Sequence, residues 1–217
     1  MDKLVLAAAD VLKNDQFKGR LNAYFAVPAF FLYYLTSKFP FGNFLSQHLD
    51  SEATGATTGF LVPEMAKSCG ASGSLINHSE HRIPYDQVSD LVAKLRSLGM
   101  ISVVCAIDDK EVESFAKLSP DFIAIEPPEL IGSGKAVSKA RPEIIVDARR
   151  ALEKSRRPAS ETKLLCGAGI VSSEDARLAI ELGSEGILVA SGVVKAHDWK
   201  EKILALSLGL SAARDRK

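Results

Sequence analysis

The chain has 217 residues, 47% hydrophobic and 25% charged, enough for one good core or two small domains. Its 27 basic residues balance 27 acidic ones, so it carries no electrostatic footprint for nucleic acid or an anionic membrane. Three cysteines, Cys69, Cys105 and Cys166, are scattered and odd in number, which argues against a disulfide framework or a CxxC metal site.

The first pattern is helical, with Leu4, Ala8, Val11 and Leu12 on one face. It carries Asp10 and has neither a basic flank nor a cleavage site, so it does not read as a signal peptide, and a reducing cytoplasm is expected. The first strand-like run is "AYFAVPA" (23–29). The apolar stretch from Phe25 to Leu35 is too short to cross a bilayer and contains Pro28. "NFLSQHL" (43–49) and "SGSLIN" (72–77) follow as strands, separated by the polar loop "DSEATGATTG" (50–59). Val88, Leu91, Val92, Leu95 and Leu98 predict a helix that stops at Gly99.

"ISVVCAI" (101–107) and "DFIAIE" (121–126) are the next strands, with a helix through Val112, Phe115 and Ala116 between them. Two prolines and a glycine-centred loop come after Glu126, and Pro142 opens a helix through Ile144, Ile145, Ala148 and Leu152. The basic cluster Arg149, Arg150, Lys154, Arg156 and Arg157 suits the solvated face and exit of that helix. "KLLCGA" (163–168), a helix opened by the cap-like "SSED" (172–175), and "GILVAS" (186–191) complete the pattern.

The runs are short and almost continuously apolar, as strands covered on both faces should be. Strand alternating with helix predicts a parallel sheet, and no linker or composition break divides residues 1–217, so one domain is expected. Seven strands fit either an open doubly wound sheet or a closed (β/α)8 barrel whose first strand is missing.

In such barrels chemistry collects where strands end. His78 follows "SGSLIN", and Glu126 closes "DFIAI". Gly167-Ala168-Gly169 and Ala190-Ser191-Gly192 follow the last two strands, offering small residues and free amides that suit a phosphate. His48, His81 and His197 show no metal-ligand spacing and read as structural or surface positions, while Glu80 and Arg82 are expected to pair with each other or with nearby charges.

"INHSEHR" around His78, "AIEPPELIGSG" around Glu126, "CGAGI" (166–170) and "GILVASGVVKA" (186–196) together resemble triosephosphate isomerase, in its compact archaeal-type branch. The resemblance runs from about Ala23 to Lys202 and implies a TIM barrel that interconverts dihydroxyacetone phosphate and glyceraldehyde 3-phosphate. It makes Glu126 the base and His78 a neutral electrophile, in a family whose histidine is held neutral by a helix N-terminus. It makes residues 127–140 a lid, with Ile131 over the substrate, Gly132 and Gly134 near the phosphate, and Lys139-Ala140 as the far hinge. It assigns phosphate binding to Gly169, Ala190 and Ser191 and a supporting place to Glu80. Thr58 becomes a residue that props a neighbouring subunit's site, so a homodimer or homotetramer is expected. No metal or organic cofactor is implied.

The resemblance departs at the start. The family opens with a strand ending in Asn-x-Lys, whose lysine binds the phosphate, whereas this chain opens in a helical pattern. The expectation is a barrel lacking its first strand, either because Met1 is internal to a longer protein or because the chain is a repurposed relative. A non-catalytic barrel binding phosphorylated metabolites is the alternative of another class. A different phosphate-binding barrel enzyme would fit the last two strands but leave "NHSEHR" unexplained.

Overall fold

The computed structural model describes residues 1–130, 136–155 and 161–214. All seven expected strands are present. α1 (Asp2–Leu12) precedes β1 (Tyr24–Val27), α2 (Leu32–Lys38), β2 (Asn43–Ser46), α3 (Pro63–Ser68) and β3 (Gly73–Ile76). Then come α4 (Tyr85–Ser97), β4 (Ile101–Ala106), α5 (Asp109–Ala116), β5 (Phe122–Ile125), α6 (Val137–Ala140) and α7 (Pro142–Ser155). β6 (Lys163–Cys166), α8 (Ser173–Glu181), β7 (Gly186–Ile187), α9 (Ser191–Val194) and α10 (Trp199–Arg214) finish the described chain.

The strands form one parallel sheet in sequential order, β1 to β7. Each strand presents alternate residues to opposite faces. On one face Leu45, Leu75, Val103, Cys105 and Ala124 pack together, joined by Ala26, Phe122, Leu165 and Leu188. The cluster runs from β1 to the end of β7, and the sheet curls around it. The Tyr24 and Phe122 rings accordingly meet at 6.0 Å although they stand on β1 and β5. The other face packs a larger layer against the helices, including Phe44, Ile76, Val104, Ile123, Ile125 and Leu164.

The helices bury the stripes their sequences predict. Val88, Leu91, Val92 and Leu95 of α4 are buried, and Gly99 ends that helix with φ of 64°. Val112, Phe115 and Ala116 of α5 and Ala176, Ala179 and Ile180 of α8 face inward in the same way. In α1 the buried positions are Val5, Ala8 and Val11, one residue on from the predicted Leu4. The basic cluster behaves as a solvated face: Arg149 meets Glu153 and Glu185, and Arg150 meets Asp147. Arg156 and Arg157 lie outside the described residues. Among the described residues no helix is long and apolar enough to cross a membrane.

Every strand is shorter than its predicted run, and β7 is cut back most. The ladder of β7 covers only Gly186–Ile187, because the chain turns at Ala190 (φ −113°, ψ −83°) to begin α9.

Candidate active site

Glu126 stands one residue beyond β5, where its amide still bonds the Ala106 carbonyl at 2.8 Å. That bond prolongs the β4–β5 ladder, so alternation continues from Phe122 and Ala124 of the inner cluster to the Glu126 side chain. The carboxylate is 4% exposed, and its Oε2 has no hydrogen-bond partner among the described residues. Burial pushes its pKa above the usual carboxylate value; the facing His78 and the neighbouring Cys105 thiol oppose that shift without cancelling it, and Glu80 adds to it.

Two neighbours border this carboxylate, and neither contact was read from the sequence, where Gly167 figured only in a phosphate-suited turn. Cys105, expected to be only a small core hydrophobe, lies on β4 close enough to the Glu126 carboxylate that the two groups shift each other's pKa. Burial raises its own pKa first, and the adjacent Glu126 charge raises it further, so the thiol keeps its proton. Gly167 follows β6 and bonds the Ile125 carbonyl through its amide at 3.0 Å. A Cβ at Gly167 would lie 2.4 Å from Glu126 Cγ, so only glycine leaves room for the acid.

His78 is brought to the same place from β3. Its Nε2 lies 3.7 Å from Glu126 Oε2, and its side chain is about one quarter exposed at 26%. The preceding Asn77 adopts φ of 63°, a left-handed conformation that asparagine tolerates better than most residues. Its buried amide donates to the Cys105 carbonyl at 3.1 Å and accepts from the Ile83 amide at 3.0 Å, which ties the turn holding His78 to the end of β4. Arg82 bonds the Asn77 carbonyl and forms an ion pair with Glu111 of α5. Of the two pairings the sequence left open for Arg82, the structure takes the neighbouring charge, and Glu80 is exposed with Oε2 3.9 Å from His78 Nδ1.

The His78 ring has a defined tautomer. The Glu80 amide donates to Nδ1 at 3.3 Å, which requires a lone pair there and puts the proton of a neutral ring on Nε2, the nitrogen facing Glu126. A helix N-terminus was expected to perform this task. Here α4 begins only at Tyr85, and the local turn, closed by the His81 amide on the His78 carbonyl at 2.8 Å, supplies the donor instead.

The two small-residue turns also meet. A Cβ at Gly192 would strike the Ile170 carbonyl oxygen at 2.4 Å, so the start of α9 sits directly on the 167–170 turn. Gly169 takes φ of 71° within that turn. Ser191 and Gly192, as the first residues of a helix, have amides with no intrahelical carbonyl to serve. Thr58 is exposed on its loop, whereas Ile131, Gly132 and Gly134 lie outside the described residues. His48 and His81, read as structural or surface positions, stack on each other with ring centroids 3.9 Å apart.

Residues 2–206 match the family described as triosephosphate isomerase. A relative named triosephosphate isomerase from Cenarchaeum symbiosum is 56% identical over 167 residues, 77% of this chain and 73% of its own length. The protein of that name from Methanothermus fervidus is 48% identical over 73% of this chain and 70% of its own. The one from Sulfurisphaera tokodaii is 43% identical over 192 residues, 88% and 82% of the two chains.

Proposed function

The chain belongs to the triosephosphate isomerase family, an aldose–ketose isomerase family, and from that premise we propose that Glu126 and His78 divide the proton transfer between them. Glu126 takes a proton from C1 of dihydroxyacetone phosphate and returns it to C2, giving glyceraldehyde 3-phosphate through an enediolate. His78 donates its Nε2–H to the carbonyl oxygen as negative charge develops there. The observation that carries this reading is the buried, partly unsatisfied Glu126 carboxylate 3.7 Å from His78 Nε2, with the Glu80 amide donating to the other ring nitrogen.

Each part has a physical reason. Burial raises the basicity of Glu126, bringing it closer to that of a useful general base near neutral pH. A neutral imidazole is a weak acid, better matched to an enediolate than an imidazolium would be. The amides around Gly169, Ala190 and Ser191 hold the phosphate at the ends of the last two strands. Ile131 and Gly132 join that role on the strength of their sequence motif alone, as parts of the expected lid over residues 127–140, where water exclusion protects the enediolate.

Assembly is part of the proposal. The loop carrying Thr58 is exposed, and Phe60, Leu61 and Met65 beside it are 41%, 41% and 52% exposed. Apolar side chains flanking a polar loop suit insertion into a second copy of the chain, as a homodimer or a homotetramer built from dimers.

The functional test is His78→Gln and Glu126→Asp in the protein as its gene encodes it. Each change is expected to lower kcat for triose phosphate interconversion, His78→Gln by about 10²–10⁴-fold and Glu126→Asp by about 10²-fold through retraction of the base. Wild-type kcat in either variant refutes the assignment.

A further inference from the structure

Asp175 sits at the third position of α8 and looks at first like an ordinary capping residue. Its backbone amide bonds Ser172 Oγ at 3.2 Å while its Oδ2 accepts from the Ser172 amide at 2.9 Å, completing a capping box. A capping carboxylate normally lies at the surface, but this side chain is only 3% exposed and serves two further groups, while the residue's backbone carbonyl serves a third. Oδ2 also accepts from the Val171 amide at 3.2 Å. Oδ1 meets Lys139 Nζ at 2.7 Å, and the Asp175 carbonyl accepts from the buried Ser138 hydroxyl at 3.2 Å.

The partners belong to two segments with no other reason to share one residue. Ser138 and Lys139 lie on α6, in the stretch that follows the proposed base Glu126. Val171 and Ser172 end the turn that begins with Gly167 against Glu126 and contains Gly169. One backbone bond joins the same segments, from the Val137 amide to the Ala168 carbonyl at 3.2 Å. Burial alone would raise the Asp175 pKa, but Lys139, the Ser172 hydroxyl and the two amides outweigh it and hold the carboxyl below its usual range, so it is ionised at neutral pH.

We infer that Asp175 is a positioning residue of the isomerase site: it fixes the 167–172 turn relative to α6 and thereby sets the affinity for the phosphate group. This rests on the functional reading above for the identity of the ligand. The ion pair with Lys139 is the adjustable part, because Lys139 is half exposed and can be removed without opening the core.

The test measures the Kd of inorganic phosphate by calorimetry, and KM and kcat for triose phosphate, in wild type, Lys139→Met, Asp175→Asn and the double variant. Lys139→Met is expected to weaken phosphate binding and raise KM by about fivefold or more, with kcat less affected and Tm within about 2 °C of wild type. Asp175→Asn is expected to do at least as much, the double variant no more than Asp175→Asn, and Lys139→Arg to restore binding. Unchanged phosphate affinity in Lys139→Met, or effects of the two single changes that simply add, overturns the inference. If the wild type binds phosphate but does not isomerise, the functional reading fails, while the phosphate affinity of Lys139→Met still decides this one. A wild type that binds no phosphate overturns both.

Discussion

Replacing Glu126 with glutamine should make the protein inactive and more stable together. The carboxylate is 4% exposed, and one oxygen lacks any hydrogen-bond partner among the described residues. Leaving a buried acceptor unsatisfied costs about 1–3 kcal/mol, and more when it is charged. Glutamine has nearly the same shape and no charge, so near pH 7 it should recover on the order of 1 kcal/mol, or about 2–4 °C in Tm at this chain length. The sign follows from the raised pKa of Glu126. An unfolded chain releases the proton at the ordinary carboxylate value, while the folded one holds it longer, so wild-type stability falls as pH rises between the two values. Above the folded value the full penalty persists. Glutamine does not titrate, so its advantage should be complete only above the raised folded-state value of Glu126 and shrink toward zero below about pH 4, where the wild-type carboxyl is also neutral. Activity should move the opposite way, with kcat lower by about 10²–10⁴-fold. Melting curves across that pH range, paired with isomerase rates, make the measurement. A glutamine variant that melts below wild type near pH 7, or a Tm gap that ignores pH, would refute the reasoning.

Gly167→Ala places a Cβ where Glu126 Cγ already lies, so the base must shift; kcat should drop by about 10²-fold while the circular dichroism spectrum stays that of the wild type. Cys105→Ala removes a thiol that lowers the Glu126 pKa, so the acid limb of the kcat–pH profile should move to higher pH; a limb that stays put excludes the thiol from tuning the base. Thr58→Arg on the exposed loop should shift sedimentation toward the monomer and lower kcat with it, whereas an unchanged oligomer would remove that loop from the interface.

The strands were legible because β-branched, nearly unbroken apolar runs have few other places to go in a parallel sheet. Helices with one clean stripe, such as α4, were equally plain. α10 was not, because Ile203, Leu204, Leu206, Leu208 and Leu210 spread the apolar residues around its circumference and blur the period. α2 was hidden by its aromatics: Tyr33 and Tyr34 are 70% and 47% exposed, and only Leu32 and Leu35 are buried. The acid and the imidazole could be located because strand ends are countable along the chain. Their supports could not. Cys105, Gly167 and Asn77 act across neighbouring strands, and the register that joins them is a property of the folded sheet. Asp175 gave its cap signal openly, but nothing local in "SSED" announces a lysine 36 positions earlier in the chain.

The Glu126–Gly167 contact also bears on anyone wishing to transplant this chemistry to another scaffold. A carboxylate grafted onto a recipient strand would collide with whatever side chain occupied the adjacent one, and trimming that neighbour after the fact would not restore the paired backbone bonds at Ala106 and Ile125. The portable unit is therefore two strand tips wide, and its silent half is a missing methyl group.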